Sequence, residues 1–78
     1  MIINGKWVYV NQHAYEGMNC EVPPIRTTDL RETLTNPDRI QGDRYAKWIG
    51  RRTIIAYVTE CEDRIEVRGV SATRRKLV

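Results

Sequence analysis

Residues 44 to 72 read RYAKWIGRRTIIAYVTECEDRIEVRGVSA, and this stretch decides the fold because it has the pattern of three consecutive antiparallel strands. Its middle run, Arg52 to Cys61, is rich in Ile, Val, Thr and Tyr, which suit a pleated, half-buried surface. From Arg64 to Gly69, charged residues alternate with apolar or small ones, which is typical of a strand with one buried face. The stretch therefore predicts a central strand with a neighbour on each side.

Two short loops set the pairing of these strands. Gly50-Arg51 supplies a two-residue turn with Gly at its first position, and Glu62-Asp63 lies where the chain reverses again. In this register Arg44, Tyr57 and Arg68 lie side by side across the sheet. Their face also carries Trp48, Thr53 and Thr59, and the opposite face carries the apolar set Tyr45, Ile49, Ile54, Ala56, Val58, Ile65 and Val67. Because a slip of one residue inverts a strand, the register decides which face is the core.

Length and composition limit the class of protein. The chain of 78 residues predicts one domain, residues 1–78, near the size at which a single core is just sufficient. Cys20 and Cys61 are the only cysteines and have no ligand cluster near them, and no P-loop or GxGxxG occurs, so we expect no metal and no cofactor. Without a signal-peptide pattern or a long apolar run, we predict reduced thiols, a cytoplasmic location and no membrane contact.

Positive charge is concentrated in the second half of the chain. Residues 1–43 carry four Lys or Arg against six Asp or Glu, whereas residues 44–78 carry nine against four, which gives the net charge of +3. A basic sheet region is typical of proteins with phosphate-bearing partners, and equally of proteins with an acidic protein partner. A solvated surface with some extra Arg is the plainer interpretation.

The N-terminal half predicts one strand and two helices. Ile2 to Val10 alternates as a strand after a turn at Asn4-Gly5, and Asn11 is the candidate cap of a short helix over QHAYEGMN. The second helix is predicted over Thr28 to Thr35, with Leu30 and Leu34 on the face that packs against the sheet. The candidate caps of this helix are Thr27, Thr28 and Asp29. Asn36-Pro37 is predicted to end it.

The remaining segments are a connector, Asp38 to Asp43, and a basic tail, Ala72 to Val78. The element order predicts an α+β domain with one or two N-terminal helices packed on a four-stranded, mainly antiparallel sheet. The chain also resembles a family called domain of unknown function 4258, through HAYEGM, the helix end LTNPDRI and the hairpin RYAKWIGRRTIIAYVTE. The tail SATRRK is similar to the end of the BrnT toxins.

This resemblance implies a RelE-like fold and a place among the RelE-like ribonuclease toxins of toxin-antitoxin systems. It also implies RNA or the ribosome as target and an acidic antitoxin as protein partner. The chain departs from the family pattern at two points. Gly17 stands where the family has Arg, and NCEVPPIR is longer than the usual link between the helices.

His13 is the only histidine, and histidine is the residue type that titrates near neutral pH. In metal-independent RNA cleavage a base removes the 2′-hydroxyl proton, an acid protonates the leaving 5′-oxygen, and cations stabilise the charge on the phosphate. His13 is a candidate for the base or the acid. Alternatively, it anchors its helix to the sheet through a hydrogen bond.

Arg44, Tyr57 and Arg68 complete the candidate catalytic set with His13. An Arg can grip phosphate and a Tyr can stack on a base, and the mixture resembles the sheet-face sites of RelE-like toxins, although such cross-strand pairs are also ordinary. The secondary RNA-binding candidates are Lys47, Trp48, Arg52, Arg74, Arg75 and Lys76. Lys47 and Arg52 fall at the rim of the core face, and the tail is an alternative cover for Trp48 and Thr53.

Three functions follow from these patterns. The first is a metal-independent endoribonuclease of the toxin type, or a degenerate relative. The second is a non-catalytic module that binds RNA or an acidic protein through the same basic face, and Gly17 in place of Arg favours it. The third is a scaffold whose sheet edge pairs with a partner strand, without dependence on Arg44 or Arg68.

Overall fold

A computed structural model describes residues 1 to 77 as an α+β arrangement of six strands and two helices. In chain order the elements are β1 (Ile2–Ile3), β2 (Lys6–Val10), α1 (Gln12–Cys20), α2 (Thr27–Thr35), β3 (Arg39–Gln41), β4 (Arg44–Ile49), β5 (Arg52–Glu60) and β6 (Arg64–Thr73). Within residues 1–77, neither helix has the length and apolar character that a membrane crossing requires.

All six strands form one mixed sheet with the order β1-β2-β6-β5-β4-β3. Strands β2 and β6 run parallel, and every other neighbouring pair is antiparallel. The predicted four-stranded, RelE-like sheet with N-terminal helices is therefore wrong. The sheet has two more strands, and the helices follow two strands, β1 and β2, where one strand was expected.

The two additional strands arise at short turns. One turn divides residues 2–10 into a hairpin, and another lets part of the predicted connector pair with β4. Asn4 and Gly5 both have positive φ, at 52° and 77°, which suits a two-residue hairpin turn between β1 and β2. In the same way β3 pairs with β4, starting from Gln41 and Arg44 on either side of a second tight turn. The interpretations of residues 2–10 as one strand and of residues 38–43 as a connector are corrected accordingly.

The predicted three-stranded meander is confirmed. Gly50 and Arg51 have φ values of 58° and 71° and form the two-residue turn between β4 and β5. The backbone N–H of Cys61 donates to the Arg64 carbonyl at 2.8 Å, so the second reversal is made over residues 62–63. Strand β5 lies between β4 and β6, as its apolar composition predicts.

The register differs from the prediction at one place in β6. Val58 pairs with Val67, as the two-residue loop requires, but Tyr57 pairs with Gly69. Arg68 is therefore the extra residue of a β-bulge, a feature that re-aims side chains and is frequent beside functional sites. The predicted direct pairing of Tyr57 with Arg68 is wrong.

Both helices pack on one side of the sheet. Helix α1 lies against β6, and α2 lies against β5 and β4. Leu30 and Leu34 are buried in the same cluster as Ile54, Ala56 and Val58, which confirms their predicted packing. We call this side of the sheet the core face and the opposite side the outer face.

The predicted helix starts have different outcomes. The Asn11 side chain accepts a hydrogen bond from the Ala14 backbone N–H at 2.8 Å, so the predicted cap of α1 is confirmed. Helix α2 is capped at Arg26, whose backbone N–H donates to the Asp29 carboxylate at 3.2 Å. The predicted caps Thr27, Thr28 and Asp29 are wrong because all three lie in the first turn; Asn36 ends the helix as predicted.

Helix α1 approaches the backbone of β6 closely at Gly17. A Cβ atom at Gly17 would lie 2.8 Å from the carbonyl oxygen of Val70, a distance that real Cβ atoms essentially never show. The neighbour is a backbone atom, which cannot rotate away as a side chain can. The packing of α1 on β6 therefore requires glycine inside this helix.

We expect Gly17→Ala to lower the free energy of unfolding by about 1 kcal/mol. Alanine is better than glycine in a helix by about 1 kcal/mol, but overpacking typically costs roughly 1–3 kcal/mol, so the clash with Val70 outweighs the propensity. Urea denaturation measures the difference. Asn19→Ala, at an exposed position of the same helix, is the control and should not destabilise. A Gly17→Ala protein more stable than wild type would contradict the close packing.

Candidate functional site

A groove of about 620 Å³ lies between α1 and the second half of β6. The α1 residues at its wall are spaced three or four apart and therefore share one helix face. The groove is lined by His13, Glu16, Gly17 and Cys20 of α1, Tyr57 of β5, and Arg68, Gly69, Val70 and Ser71 of β6. Three of the four predicted catalytic residues, His13, Tyr57 and Arg68, thus line one groove.

His13 reaches the groove because of the way α1 begins. Strand β2 ends at Val10, which pairs with Val67, and the Asn11 backbone N–H then donates to the Val67 carbonyl at 3.1 Å. This contact holds the first turn of α1 beside the bulge in β6. His13 itself is exposed. The hydrogen bond that anchors the start of α1 to the sheet is therefore the one made by Asn11.

Tyr57 and Gly69 form the floor of the groove. The two residues are paired across β5 and β6, and a Cβ atom at Gly69 would lie 3.6 Å from Cδ2 of Tyr57. The tyrosine ring therefore lies beside the backbone of a residue that has no side chain, and Tyr57 is partly exposed where it lines the groove. The bulge that makes Gly69 the partner of Tyr57 also leaves Arg68 free of a cross-strand partner.

Arg68 is held in place by an ion pair with Asp43. The guanidinium Nη2 contacts Oδ2 of the carboxylate, and both side chains are about half exposed. The Asp43 carbonyl accepts a hydrogen bond from the Val58 backbone N–H at 2.9 Å, which fixes the turn before β4 against β5. Asp43 is not among the predicted site residues, and no motif marks it. It comes close to Arg68 only because the folded sheet brings the turn before β4 next to β6.

Arg44, the fourth predicted catalytic residue, is the cross-strand partner of Tyr57 but faces a different depression. That depression has a volume of about 210 Å³ and is lined by Arg39, Gln41, Arg44, Ala46, Ile55 and Leu77. Arg44 is exposed, and it lies beside the groove instead of inside it.

Lys47 and Arg52, predicted to bind RNA, are engaged on the core-face side. The Lys47 ammonium donates to the Asn36 carbonyl at 2.8 Å and lies 3.5 Å from an Asp38 oxygen. The pKa of Asp38 is lowered, first because its carboxylate accepts a hydrogen bond from the Trp48 backbone N–H, and further by the Lys47 charge.

Arg52 holds the loop that precedes α2. Its guanidinium donates to the carbonyls of Pro23 and, at 3.2 Å, of Pro24. The structure therefore places Lys47 and Arg52 in loop contacts away from the groove. Their position at the rim of the core face agrees with the predicted register, since Lys47 pairs with Ile54 and Arg52 with Ile49.

The other predicted RNA-binding residues, Trp48 and the tail cations, lie on or above the outer face. Strand β6 continues to Thr73, so the predicted tail begins two residues later than expected, and Val78 lies outside the described residues. The tail covers Thr53, the alternative that the sequence left open. Arg74, Arg75 and Lys76 are exposed.

Two exposed aromatic side chains of β2 are not among the predicted site residues. Trp7 and Tyr9 alternate with Val8 and Val10, which pack against the core, and their residues are 65% and 59% exposed. They pair with Arg64 and Glu66 of β6. The alternation in KWVYV is a signal that could have identified them as exposed aromatics.

The groove brings together groups with complementary chemistry. The imidazole of His13 and the carboxylate of Glu16 can accept protons, the Tyr57 hydroxyl can donate one, and the Arg68 guanidinium can hold phosphate oxygens. The Gln12 amide donates to Glu16 Oε1 at 3.0 Å, which orients that carboxylate along α1. Among residues 1–77, no three His, Cys, Asp or Glu side chains are grouped so that they could hold a metal ion.

Comparisons of the chain with protein-family models, with curated proteins and with solved structures found no match. The resemblance to the ribonuclease toxins therefore stays a prediction from the sequence motifs.

Proposed function

We propose that this protein is a metal-independent endoribonuclease that acts on single-stranded RNA in the groove between α1 and β6. The observation that carries the proposal is the convergence of His13, Tyr57 and Arg68 on that groove from three separate elements. A surface that only bound RNA would need cations and aromatic rings, but it would not need a histidine at the same place.

The proposed chemistry uses the 2′-hydroxyl of the RNA as nucleophile. His13 accepts its proton, the 2′-oxygen attacks phosphorus, and the bond from phosphorus to the 5′-oxygen breaks. Tyr57 gives its proton to that leaving oxygen, and Arg68 stabilises the negative charge on the phosphate. The products are a 2′,3′-cyclic phosphate and a 5′-hydroxyl end.

Glycine at position 17 is compatible with this chemistry. The contact with the Val70 carbonyl explains why α1 has no side chain there, and Arg68 supplies a cation from the opposite wall of the groove. The resemblance to toxins supports RNA or the ribosome as target, an acidic antitoxin as partner and action in the cytoplasm. These three assignments are part of the proposal.

The test is cleavage of an end-labelled RNA by the purified protein in the presence of EDTA, with and without ribosomes. We expect cleavage to persist with the chelator and the products to carry a 2′,3′-cyclic phosphate, because the groove residues supply proton transfer and charge stabilisation. A matched RNA with a 2′-deoxy nucleotide at the cleaved position should remain intact there. Cleavage that disappears with EDTA, or that continues at the deoxy position, would contradict the mechanism.

A second candidate function is non-catalytic RNA binding by the same surface. Gly17, which stands where the resembled family has Arg, favours it, because a groove with one cation fewer stabilises the charge of a phosphoryl transition state less. Retention of RNA without cleavage under every condition of the test would select this function. Its binding would weaken steeply with salt, since contacts between Arg or Lys and phosphate release counterions.

A further inference from the structure

The segment after β6 lies along the outer face and is anchored there by one buried hydroxyl group. Thr53 Oγ1 donates to the Arg75 carbonyl at 2.6 Å and accepts from the Leu77 backbone N–H at 3.2 Å. Thr53 is 0% exposed, so both hydrogen bonds are shielded from water. We call residues 74–77 the strap.

Two cationic side chains add to this anchorage. The Arg39 guanidinium donates to the Leu77 carbonyl at 3.4 Å, and the Lys76 ammonium lies 5.9 Å from the centroid of the Trp48 ring. Leu77 contributes to the depression that Arg39 and Arg44 also line. The strap therefore extends from β5 across the outer face to β3.

The anchored strap concentrates positive charge beside the groove. Its cations, together with Arg39 and Arg44, give five positive charges on one side of the sheet. Among residues 1–77 none of the five forms an ion pair, and Arg39 donates a hydrogen bond to the Leu77 carbonyl. Arg44 is also the cross-strand partner of Tyr57 in the groove. The positive surface thus begins where the groove ends.

We propose that the strap, with Arg39 and Arg44, binds the phosphate backbone of the RNA that flanks the linkage in the groove, and that Thr53 is its positioning residue. The inference rests on the proposed function for its choice of RNA. An RNA strand lying in the groove has to continue over the neighbouring strands. Beyond Tyr57 the next residue across the sheet is Arg44, and Arg44 lines one depression together with Leu77 of the strap. Charge complementarity then favours contact with phosphates.

The test measures the binding of a fluorescent, non-cleavable 2′-O-methyl RNA by anisotropy at several salt concentrations. Arg74→Ala with Arg75→Ala should weaken binding and lower the salt slope by about 1.4, because each phosphate contact with a single strand contributes about 0.7. Arg26→Ala with Arg31→Ala removes the same charge from exposed positions near and on α2, and it should leave the slope close to wild type.

Thr53 variants separate anchorage from charge alone. Thr53→Val keeps the shape but removes the hydroxyl, so it should weaken binding in the same direction as the strap variant, whereas Thr53→Ser should bind as wild type does. Combining Thr53→Val with the strap variant should add little. Circular dichroism checks that Thr53→Val is folded, and if it is not, the exposed strap residues still decide the outcome.

Wild-type affinity and slope in the strap variant would overturn the proposal, and so would an unchanged Thr53→Val protein. Preference for a polyglutamate peptide over RNA would also overturn it and would indicate an acidic protein partner. RNA binding that depends on the strap, in a protein that does not cleave, would support this inference while rejecting the endoribonuclease function. The two proposals can therefore fail separately.

Discussion

Replacing Arg68 by alanine should lower the rate of RNA cleavage by about a hundredfold or more, because the loss of one preorganised charge partner of the transition state typically has this effect. Arg68 is the guanidinium in the groove, and Asp43 holds it in a fixed orientation. The measurement is the single-turnover cleavage rate at saturating protein, in EDTA, on an end-labelled RNA. Saturation ensures that the rate reports the chemical step and not weaker binding.

Arg64→Ala is the matched control for Arg68→Ala. Arg64 is exposed on the same strand and carries the same charge, but it pairs with Trp7 and does not line the groove. Its variant should cleave at a rate close to wild type. Arg68→Lys should fall between wild type and Arg68→Ala, since lysine keeps the charge but loses the planar fork that matches phosphate. Equal rates for Arg64→Ala and Arg68→Ala would show that Arg68 has no special role.

The central part of the fold could be predicted because its signals are local. The turn at Gly50-Arg51 and the composition of β5 define the meander, and the spacing of Leu30 and Leu34 defines the buried face of α2. These features depend on the backbone preferences of a few adjacent residues. The turn, the central strand and the buried helix face are therefore found in the folded structure almost as predicted.

The full sheet could not be predicted, because β1 and β3 have two and three residues and depend on their partners. So short a strand has no periodicity of its own, and its pairing is decided by the neighbouring turn. The parallel pairing of β2 with β6 is likewise a long-range contact that no local pattern marks. The error in strand number follows from these two causes.

The candidate site could be predicted in part. The predicted pairing of Tyr57 with Arg44 agrees with the structure. The bulge that gives Tyr57 the partner Gly69 inserts one residue into β6, and the two-residue loop alone does not reveal it. The meeting of His13 with Tyr57 required the docking of α1 at Gly17. Sequence spacing carries no information on that docking, because it depends on the packing of whole elements.

Replacing His13 by alanine should lower the cleavage rate by about a hundredfold to ten-thousandfold, the usual contribution of a general acid or base. His13 is exposed on α1, so its removal should leave the free energy of unfolding nearly unchanged. The binding of a non-cleavable RNA should also persist, because Arg68 and the strap retain their charges. The loss would therefore be confined to the chemical step.

The most direct measurement of the proposed site compares the single-turnover cleavage rates of wild type, His13→Ala and Asn19→Ala on one RNA in EDTA. Asn19 is exposed on the same helix but does not line the groove, so its variant controls for changes to α1. The proposed site predicts that Asn19→Ala cleaves like wild type and that His13→Ala loses nearly all cleavage while still binding RNA. Equal cleavage by His13→Ala and Asn19→Ala would contradict a catalytic groove between α1 and β6.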